Sequence, residues 1–160
     1  TPPTPPPPPP PRSTQGLKPG AGRLSLITNA DGGIIDDTVV CRNPEGHEGF
    51  TMVVNGACKA KDIAHFEREL EAFGGDVTMN HLSEQQLVAL QGNGAAHALQ
   101  SLVGDSVDLS KMLFMNGAQP MSVGGVPCVV TRCGYTGEDG FEISGPAKPS
   151  RKKRQCPFGA

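Results

Sequence analysis

Alternating apolar and polar residues in the first third of the chain predict three short strands. Apolar and polar positions alternate from residue 23 to residue 28, and the next two apolar stretches are rich in β-branched residues. Between the first two stretches lies Asp31-Gly32, a strong hairpin signal. The predicted strands cover residues 23–28, 34–40 and 50–54. Because short turns separate them, we expect an antiparallel meander.

A helical period follows over residues 59–73. Its apolar residues are spaced by 3, 4 and 3 positions and so form one stripe along the predicted helix. The stripe consists of Ile63, Phe66, Leu70 and Phe73. Gly74-Gly75 follows at once and is typical of a helix C-terminus. The turn sequence QGNG at residues 91–94 precedes a second, shorter predicted helix over residues 95–103.

The rest of the chain is dominated by short apolar runs between glycine-containing turns, a pattern typical of strands. The further predicted strands cover residues 77–82, 87–90, 121–123, 126–132 and 141–144. Together with the two helices they predict an α+β fold with mostly antiparallel sheets.

Both ends of the chain differ in composition from its middle. Nine of the first eleven residues are proline, and residues 151–154 read RKKR. Such segments lack the apolar period that a packed core needs. We therefore predict a disordered Pro-rich tail over residues 1–21, a folded domain over 22–146 and a disordered basic tail over 147–160.

Charge and cysteine usage exclude several classes of function. The net charge is −2, and no interleaving of basic and aromatic residues points to nucleic acid. No apolar run reaches the length of a membrane span. The five cysteines are irregularly spaced and include no CxxC pair, so we expect reduced thiols and no metal site.

The first candidate for chemistry is the acid pair Asp36-Asp37, which follows Gly32-Gly33. Neighbouring side chains of a strand point to opposite faces, so only one of the two carboxylates can face a given pocket. The glycines leave room for a ligand close to the backbone. The residues alone leave open a second interpretation, in which both acids simply flank a surface turn.

The second candidate is the glycine-rich segment over residues 132–142. Glu142 alternates with Phe141 and Ile143, so if those two face the core, Glu142 faces the other side. A carboxylate there suits a flat ring with two adjacent N–H donors, such as a pterin or guanine edge. Tyr135 offers a flat face with a polar tip. An ordinary hairpin with exposed acids is the alternative.

Four motifs together give a resemblance to a known family. They are GGIIDD at residues 32–37, VVNGACKAKD at 53–62, LVALQG at 87–92 and TRCGYTGEDGFEIS at 131–144. In this order and at these separations they resemble the T-protein family of the glycine cleavage system, the folate-dependent aminomethyltransferases. The similarity covers roughly residues 22–146, and the last motif is the most specific. It implies a partial aminomethyltransferase folate-binding fold.

The resemblance also implies an activity. Members transfer the methylene of an aminomethyl group, carried on the lipoylated H protein, to the co-substrate tetrahydrofolate and release ammonia, without a metal. By this resemblance Asp36 is the catalytic aspartate, while Glu142, Tyr135 and Asn55 belong to the folate site. Eukaryotic members reside in the mitochondrial matrix.

The chain departs from the family pattern at both ends, where the proline and RKKR segments stand in place of family sequence. A folate-contacting arginine and a C-terminal domain of the family have no counterpart. We therefore expect this chain alone to lack the full activity. Two alternatives stay open: a non-catalytic folate-binding module, and the folate domain of a dimethylglycine or sarcosine dehydrogenase-like protein.

Overall fold

The computed structural model describes residues 16–117 and 119–147, which divide into two compact units. The first unit contains residues 16–79 together with 113–117 and 119. The second contains residues 80–112 and 120–147. The proline tract and the RKKR run, on which the tail predictions rest, lie outside the described residues.

A three-stranded antiparallel sheet forms the centre of the first unit, in the order β1-β2-β3. The strands are β1 (Gly22–Thr28), β2 (Ile34–Arg42) and β3 (Phe50–Val54). The predicted meander is thus confirmed, with longer first and second strands than the alternation indicated. β2 lies in the middle, and it carries most of the buried residues of the sheet: Asp36, Thr38, Val40 and Cys41.

The turn between β1 and β2 is held by the side chain of Asn29. Its amide oxygen accepts hydrogen bonds from the backbone N–H of Asp31 at 3.1 Å and of Gly33 at 2.7 Å. Gly32 has φ of 80°, a left-handed conformation that glycine adopts without steric cost. The turn therefore sets where β2 begins and, with it, the position of Asp36.

Helix α1 (Lys59–Phe73) has the bounds that the periodicity predicts and ends at Gly74, whose φ is 61°. The N–H of Gly74 donates to the carbonyl of Leu70 at 3.2 Å, which closes the last turn. Ile63, Phe66 and Leu70 of the apolar stripe are half-buried. The stripe is shorter than predicted, because Phe73 is 69% exposed. The buried residue of α1 is not a member of the stripe but the acid Asp62.

The second unit combines a four-stranded sheet, in the order β4-β7-β6-β5, with one helix. β7 pairs antiparallel with both β4 and β6. The elements are β4 (Gln85–Gln91), α2 (Ala95–Val103), β5 (Gln119–Val123), β6 (Val126–Thr131) and β7 (Gly140–Pro146). Two short 3₁₀ turns, Gly104–Ser106 and Leu109–Lys111, follow α2 and were not predicted.

The core of the second unit forms where α2 packs on this sheet. Leu99 of α2, Val130 of β6 and Phe141 of β7 are all fully buried, at 0% exposure. The remaining buried members of this cluster are Ala95, Val103, Leu109 and Met112. Because Phe141 faces this core, strand alternation places its neighbour Glu142 on the opposite face of the sheet.

One predicted strand is wrong. Residues 77–82 form no regular element in the structure and are exposed along their whole length. Val77 instead lies in a tight turn, in which its N–H donates to the carbonyl of Gly75 at 2.9 Å. The apolar residues in this segment resembled a strand, but a strand also needs a partner to satisfy its backbone.

The α+β class is confirmed: the described elements include two α-helices and two sheets, in which the pairs β1-β2, β2-β3, β4-β7 and β6-β7 are antiparallel. Within the described residues, no helix has the length and apolar character needed to cross a membrane.

Candidate active site

Asp36 is a buried carboxylate in the central strand of the first unit. It is 6% exposed, whereas the adjacent Asp37 is exposed, as alternation along β2 requires. Opposite Asp36 on β1 lies Ile27, itself 5% exposed. The question left open by the sequence, whether both acids merely flank a surface turn, is thus answered for Asp36: it lies inside the unit.

Asn55 fixes the orientation of this carboxylate from just beyond the end of β3. Its backbone N–H donates to Oδ2 of Asp36 at 3.0 Å, and its side-chain amide donates to Oδ1 at 2.9 Å. The same amide nitrogen also donates to Oδ1 of Asp37 at 2.7 Å. One residue therefore occupies both oxygens of Asp36 and connects the two acids, which limits rotation of the carboxylate.

These contacts keep Asp36 ionised. Burial by itself raises the pKa, but the two hydrogen bonds from Asn55, with smaller contributions from Cys58 and Asp62, outweigh it and lower the pKa from 3.8 to about 2. A lowered pKa in the folded protein stabilises the fold fully above pH 3.8, and this contribution is lost as the pH falls through about 2. At neutral pH the site holds a fixed negative charge.

The segment between β3 and α1 completes the surroundings of Asp36. The N–H of Cys58 donates to the carbonyl of Asn55 at 2.9 Å, and the thiol of Cys58 donates to the Asp36 carboxylate. The hydrogen bond to Asp36, together with burial, raises the pKa of this thiol, so Cys58 is present as the thiol rather than the thiolate. The ammonium of Lys61 donates to the backbone carbonyl of Ile35.

Glu142, the second predicted acid, lies on β7 of the second unit. It is paired with Ala89 of β4 and Thr131 of β6, and it is 4% exposed. A buried glutamate in the middle strand of a sheet is unusual, because charged residues are almost never fully buried unless they are paired. This placement agrees with the alternation that the sequence showed and sets Glu142 apart from Glu138, which is exposed in the preceding turn.

Tyr135 lies in the loop that leads into β7 and is 68% exposed. The side chain of Gln91 holds the backbone of this loop: its Oε1 accepts a hydrogen bond from the N–H of Tyr135 at 2.5 Å. An added Cβ at Gly134 would lie 2.8 Å from the same oxygen, so a side chain at this position would displace the Gln91 amide. Gln91 was not among the predicted site residues.

Arg132 connects this loop to the core of the second unit. Its guanidinium donates to both oxygens of Asp139, at 2.9 and 2.8 Å, and to the carbonyls of Leu109 at 2.9 Å and Met112 at 2.7 Å. It also lies 5.3 Å from the centre of the Phe141 ring. Hydrogen bonding to Arg132 lowers the pKa of Asp139 despite partial burial. The fork geometry of arginine suits this set of acceptors.

The change Arg132→Lys is therefore expected to destabilise the protein by about 1–3 kcal/mol, because a lysine cannot make the paired contacts with Asp139 and reach both carbonyls. Urea denaturation monitored by circular dichroism measures the effect. Arg68→Lys, on the exposed side of α1, is the matched control and should change the free energy of unfolding by less than about 0.5 kcal/mol. Equal stability of the Arg132→Lys variant and the parent chain would contradict the role given to Arg132.

Comparison with known proteins identifies the group to which these residues belong. The family model described as the GCVT N-terminal domain matches residues 11–153. The chain belongs to the GCVT N-terminal domain family. The resemblance found in the four sequence motifs is thereby confirmed.

Among GCVT relatives, "Aminomethyltransferase, mitochondrial" of Solanum tuberosum is 48% identical over 136 residues, which is 83% of this chain and 32% of that protein. The human protein of the same name is 48% identical over 133 residues, covering 81% of this chain and 32% of its own length. The crystal structure of glycine cleavage system aminomethyltransferase T from Bartonella henselae matches with a TM-score of 0.67 at 36% identity, covering 82% of this chain and 33% of that one.

The chain thus spans about a third of the length of these GCVT relatives. The α+β fold predicted for it agrees with the Bartonella structure. In the part of the chain that the structure describes, no group of three or more His, Cys, Asp or Glu side chains is placed to hold a metal ion.

The structure of this GCVT domain brings together two of the four predicted site residues, Asp36 and Asn55, through two direct hydrogen bonds. Asp62, like Gln91, is a residue that sequence reasoning missed. The run KAKD at residues 59–62 reads as the polar start of a helix, so nothing in the residues themselves indicated that the aspartate is buried.

Proposed function

We propose that this chain carries the catalytic aspartate and part of the folate site of an aminomethyltransferase of the glycine cleavage system. The reaction transfers the methylene of an aminomethyl group on the lipoylated H protein to tetrahydrofolate, with release of ammonia. The observation that supports it most strongly is the Asp36 carboxylate, buried, ionised and held by Asn55, in a chain of the GCVT family.

Asp36 suits the chemistry of this transfer. When a folate nitrogen attacks the methylene carbon, positive charge develops on that nitrogen. A carboxylate that is already oriented stabilises this charge without reorganising at the moment of reaction. Alignment of the two reactants supplies much of the remaining acceleration. The two donors of Asn55 hold both oxygens of Asp36 and thus provide the orientation.

Glu142 is assigned to folate binding. Its two oxygens can accept hydrogen bonds from the adjacent N–H donors of a pterin ring, and burial at 4% exposure strengthens such contacts by excluding water. Tyr135, exposed on the loop before β7, offers its ring as a flat contact surface for the same ligand. Asn55 acts through its hold on Asp36.

The partners and location follow from the same proposal. The aminomethyl donor is the lipoylated H protein, and the site of action is the mitochondrial matrix, since the relatives from plants, Dictyostelium and human are named mitochondrial aminomethyltransferases. Neither tetrahydrofolate chemistry nor this donor calls for a metal ion.

The direct test of the proposal is tetrahydrofolate binding by this chain, measured as a thermal shift over ligand concentrations up to the millimolar range. Binding to the folded state stabilises it by RT ln(1 + [L]/Kd), so the melting temperature rises with the concentration of tetrahydrofolate. The activity itself is tested in a chain extended to the length of the curated relatives, by ammonia release from aminomethyl-loaded H protein. The absence of both effects would reject the proposed function.

Glu142→Gln is expected to weaken tetrahydrofolate binding by about 10- to 100-fold, because an amide presents one acceptor where the carboxylate presents two, and it lacks the charge. The thermal shift assay measures the loss, as the dissociation constant obtained by fitting the shift over a series of tetrahydrofolate concentrations. Glu138→Gln makes the same chemical change in the exposed turn and is the control. Similar affinities for both variants would remove Glu142 from the folate site.

A further inference from the structure

A buried acid at the start of α1 has no role in the reaction described above. Asp62 is 1% exposed, and within the described residues neither of its carboxylate oxygens accepts a hydrogen bond from a donor group. An ionised carboxylate is costly in such a place, because it loses water and gains nothing in return. A neutral carboxylic acid differs in one respect: it has an O–H of its own to donate.

Several contacts place the first turn of α1 beside β2, where the acceptor for that O–H is found. Asn55 and Cys58 both donate to Asp36, and the Lys61 ammonium donates to the carbonyl of Ile35 next to it. The N–H of Asp62 donates to the carbonyl of Cys58 at 3.0 Å, so Asp62 lies one helical turn beyond that thiol. Its carboxyl group interacts with that of Asp36, and this interaction raises the pKa of Asp62 and lowers the pKa of Asp36.

We propose that Asp62 is present as the neutral acid and donates its proton in a hydrogen bond to the Asp36 carboxylate, and thereby acts as a positioning residue for the catalytic aspartate. The value of this contact for catalysis rests on the function proposed above, whereas the hydrogen bond itself does not. Two carboxylates this close cannot both be ionised without strong repulsion, and a shared proton removes that repulsion.

The groups that face Asp62 agree with a neutral state. Burial, followed by the hydrogen bond to Asp36 and the negative charge of Asp36, raises the pKa of Asp62 above 3.8. Lys61 and His65, on the same helix, oppose this rise more weakly. The thiol of Cys58 also faces Asp36 and, as a neutral donor, adds no charge.

This arrangement gives the site one negative charge from two acids. Asp36 receives hydrogen bonds from Asn55, Cys58 and Asp62, all of which lower its pKa. Asp62 donates from the first turn of α1, whereas Asn55 and Cys58 donate from the segment between β3 and α1. The negative charge then lies on Asp36, whose carboxylate is oriented by Asn55, instead of being spread over two carboxylates.

The test is the protonation state of both acids, followed by carbon-13 NMR of the aspartate side-chain carboxyls in the full 160-residue chain without ligand. In the parent chain we expect the Asp62 carboxyl to remain protonated after the exposed aspartates of the chain have ionised, because its pKa is raised. Asp62→Ala should raise the pKa of Asp36 from about 2 toward 3.8, because a donor is lost. Asp62→Asn should leave it near 2, since the amide donates in place of the acid.

The sign of the change in the alanine variant decides between the two states of Asp62. If Asp62 were ionised, its removal would take a negative charge away from Asp36 and would lower the pKa of Asp36. That result, or an Asp62 that ionises together with the exposed aspartates in the parent chain, overturns the proposal. Asp76→Ala, at an exposed position beyond the end of α1, is the control and should leave Asp36 unchanged.

Two features keep the experiment decisive. If Asp62→Ala does not fold, the parent chain and the isosteric Asp62→Asn variant still report the protonation state and the effect on Asp36. Because the measurement needs no tetrahydrofolate, its failure leaves the proposed function in place. Conversely, a chain that binds no tetrahydrofolate can still show the proton shared between Asp62 and Asp36.

Discussion

Asp36→Asn is expected to lower kcat by about 10²- to 10³-fold while changing the KM for tetrahydrofolate far less. The asparagine keeps the size of the side chain but removes the charge that stabilises the transition state, a loss of the size seen when one preorganised electrostatic group is removed. Because the positive charge on the folate nitrogen develops only during attack, the substrate in its ground state gains little from Asp36. The measurement is steady-state ammonia release by a chain extended to the length of the curated relatives.

Asp37→Asn is the matched control for this prediction. It makes the same chemical change one residue later, on the exposed face of β2, where the side chain shares only the amide of Asn55 with Asp36. We expect a much smaller loss of turnover than for Asp36→Asn. Wild-type turnover of the Asp36→Asn enzyme, or an equal loss in both variants, would contradict the assignment of the catalytic role to Asp36.

Leu99→Ala is expected to destabilise the second unit by about 2–5 kcal/mol, the range for truncating a fully buried leucine. Leu99 is 0% exposed in the middle of α2 and belongs to the same buried cluster as Val130 and Phe141. Its removal costs both the transfer of apolar surface from water and the cavity that remains. Urea denaturation followed by circular dichroism gives the free energy of unfolding.

The control lies three residues further on the same helix. Leu102 is 50% exposed, so Leu102→Ala has the same effect on side-chain chemistry and helix propensity but leaves no comparable cavity. We expect it to cost clearly less than Leu99→Ala. If both changes had equal effects, the contribution of Leu99 would come from the helix itself and not from the core.

Much of the local structure could be predicted from the sequence, because it depends on neighbours in the chain. The stripe at helical spacing and the glycine pair fixed both ends of α1, at Lys59 and at Phe73. Alternation along β2 showed that only one of Asp36 and Asp37 could be inside, and alternation along β7 separated Glu142 from Phe141. The family resemblance, and not the alternation, assigned the catalytic role to Asp36 rather than to Asp37.

The contacts that build the site could not be predicted in the same way, because they join residues far apart in sequence. Asn55 reaches Asp36 across 19 positions, and Gln91 reaches Tyr135 across 44. Asp62 is more instructive. After two lysines, at residues 59 and 61, it is expected to be solvated, yet it is buried where the first turn of α1 contacts β2.

The predicted strand over residues 77–82 failed for a related reason. Local β-propensity shows that a segment fits a pleated surface, but not that a neighbouring strand is available for it. The residue Phe73, expected in the apolar stripe, is likewise exposed.

The position of Asn55 has a consequence for the chemical ageing of the protein. Asn55 is followed by Gly56, and an asparagine before glycine is prone to lose its amide by cyclisation onto the next backbone nitrogen, since no side chain shields that nitrogen. The products, isoaspartate and aspartate, would replace an amide that donates to Asp36 and Asp37 with an acid. An alanine at position 56 would meet no atom within 4 Å, so the glycine is not required by packing. Deamidation of Asn55 would therefore remove one of the donors that orient the Asp36 carboxylate.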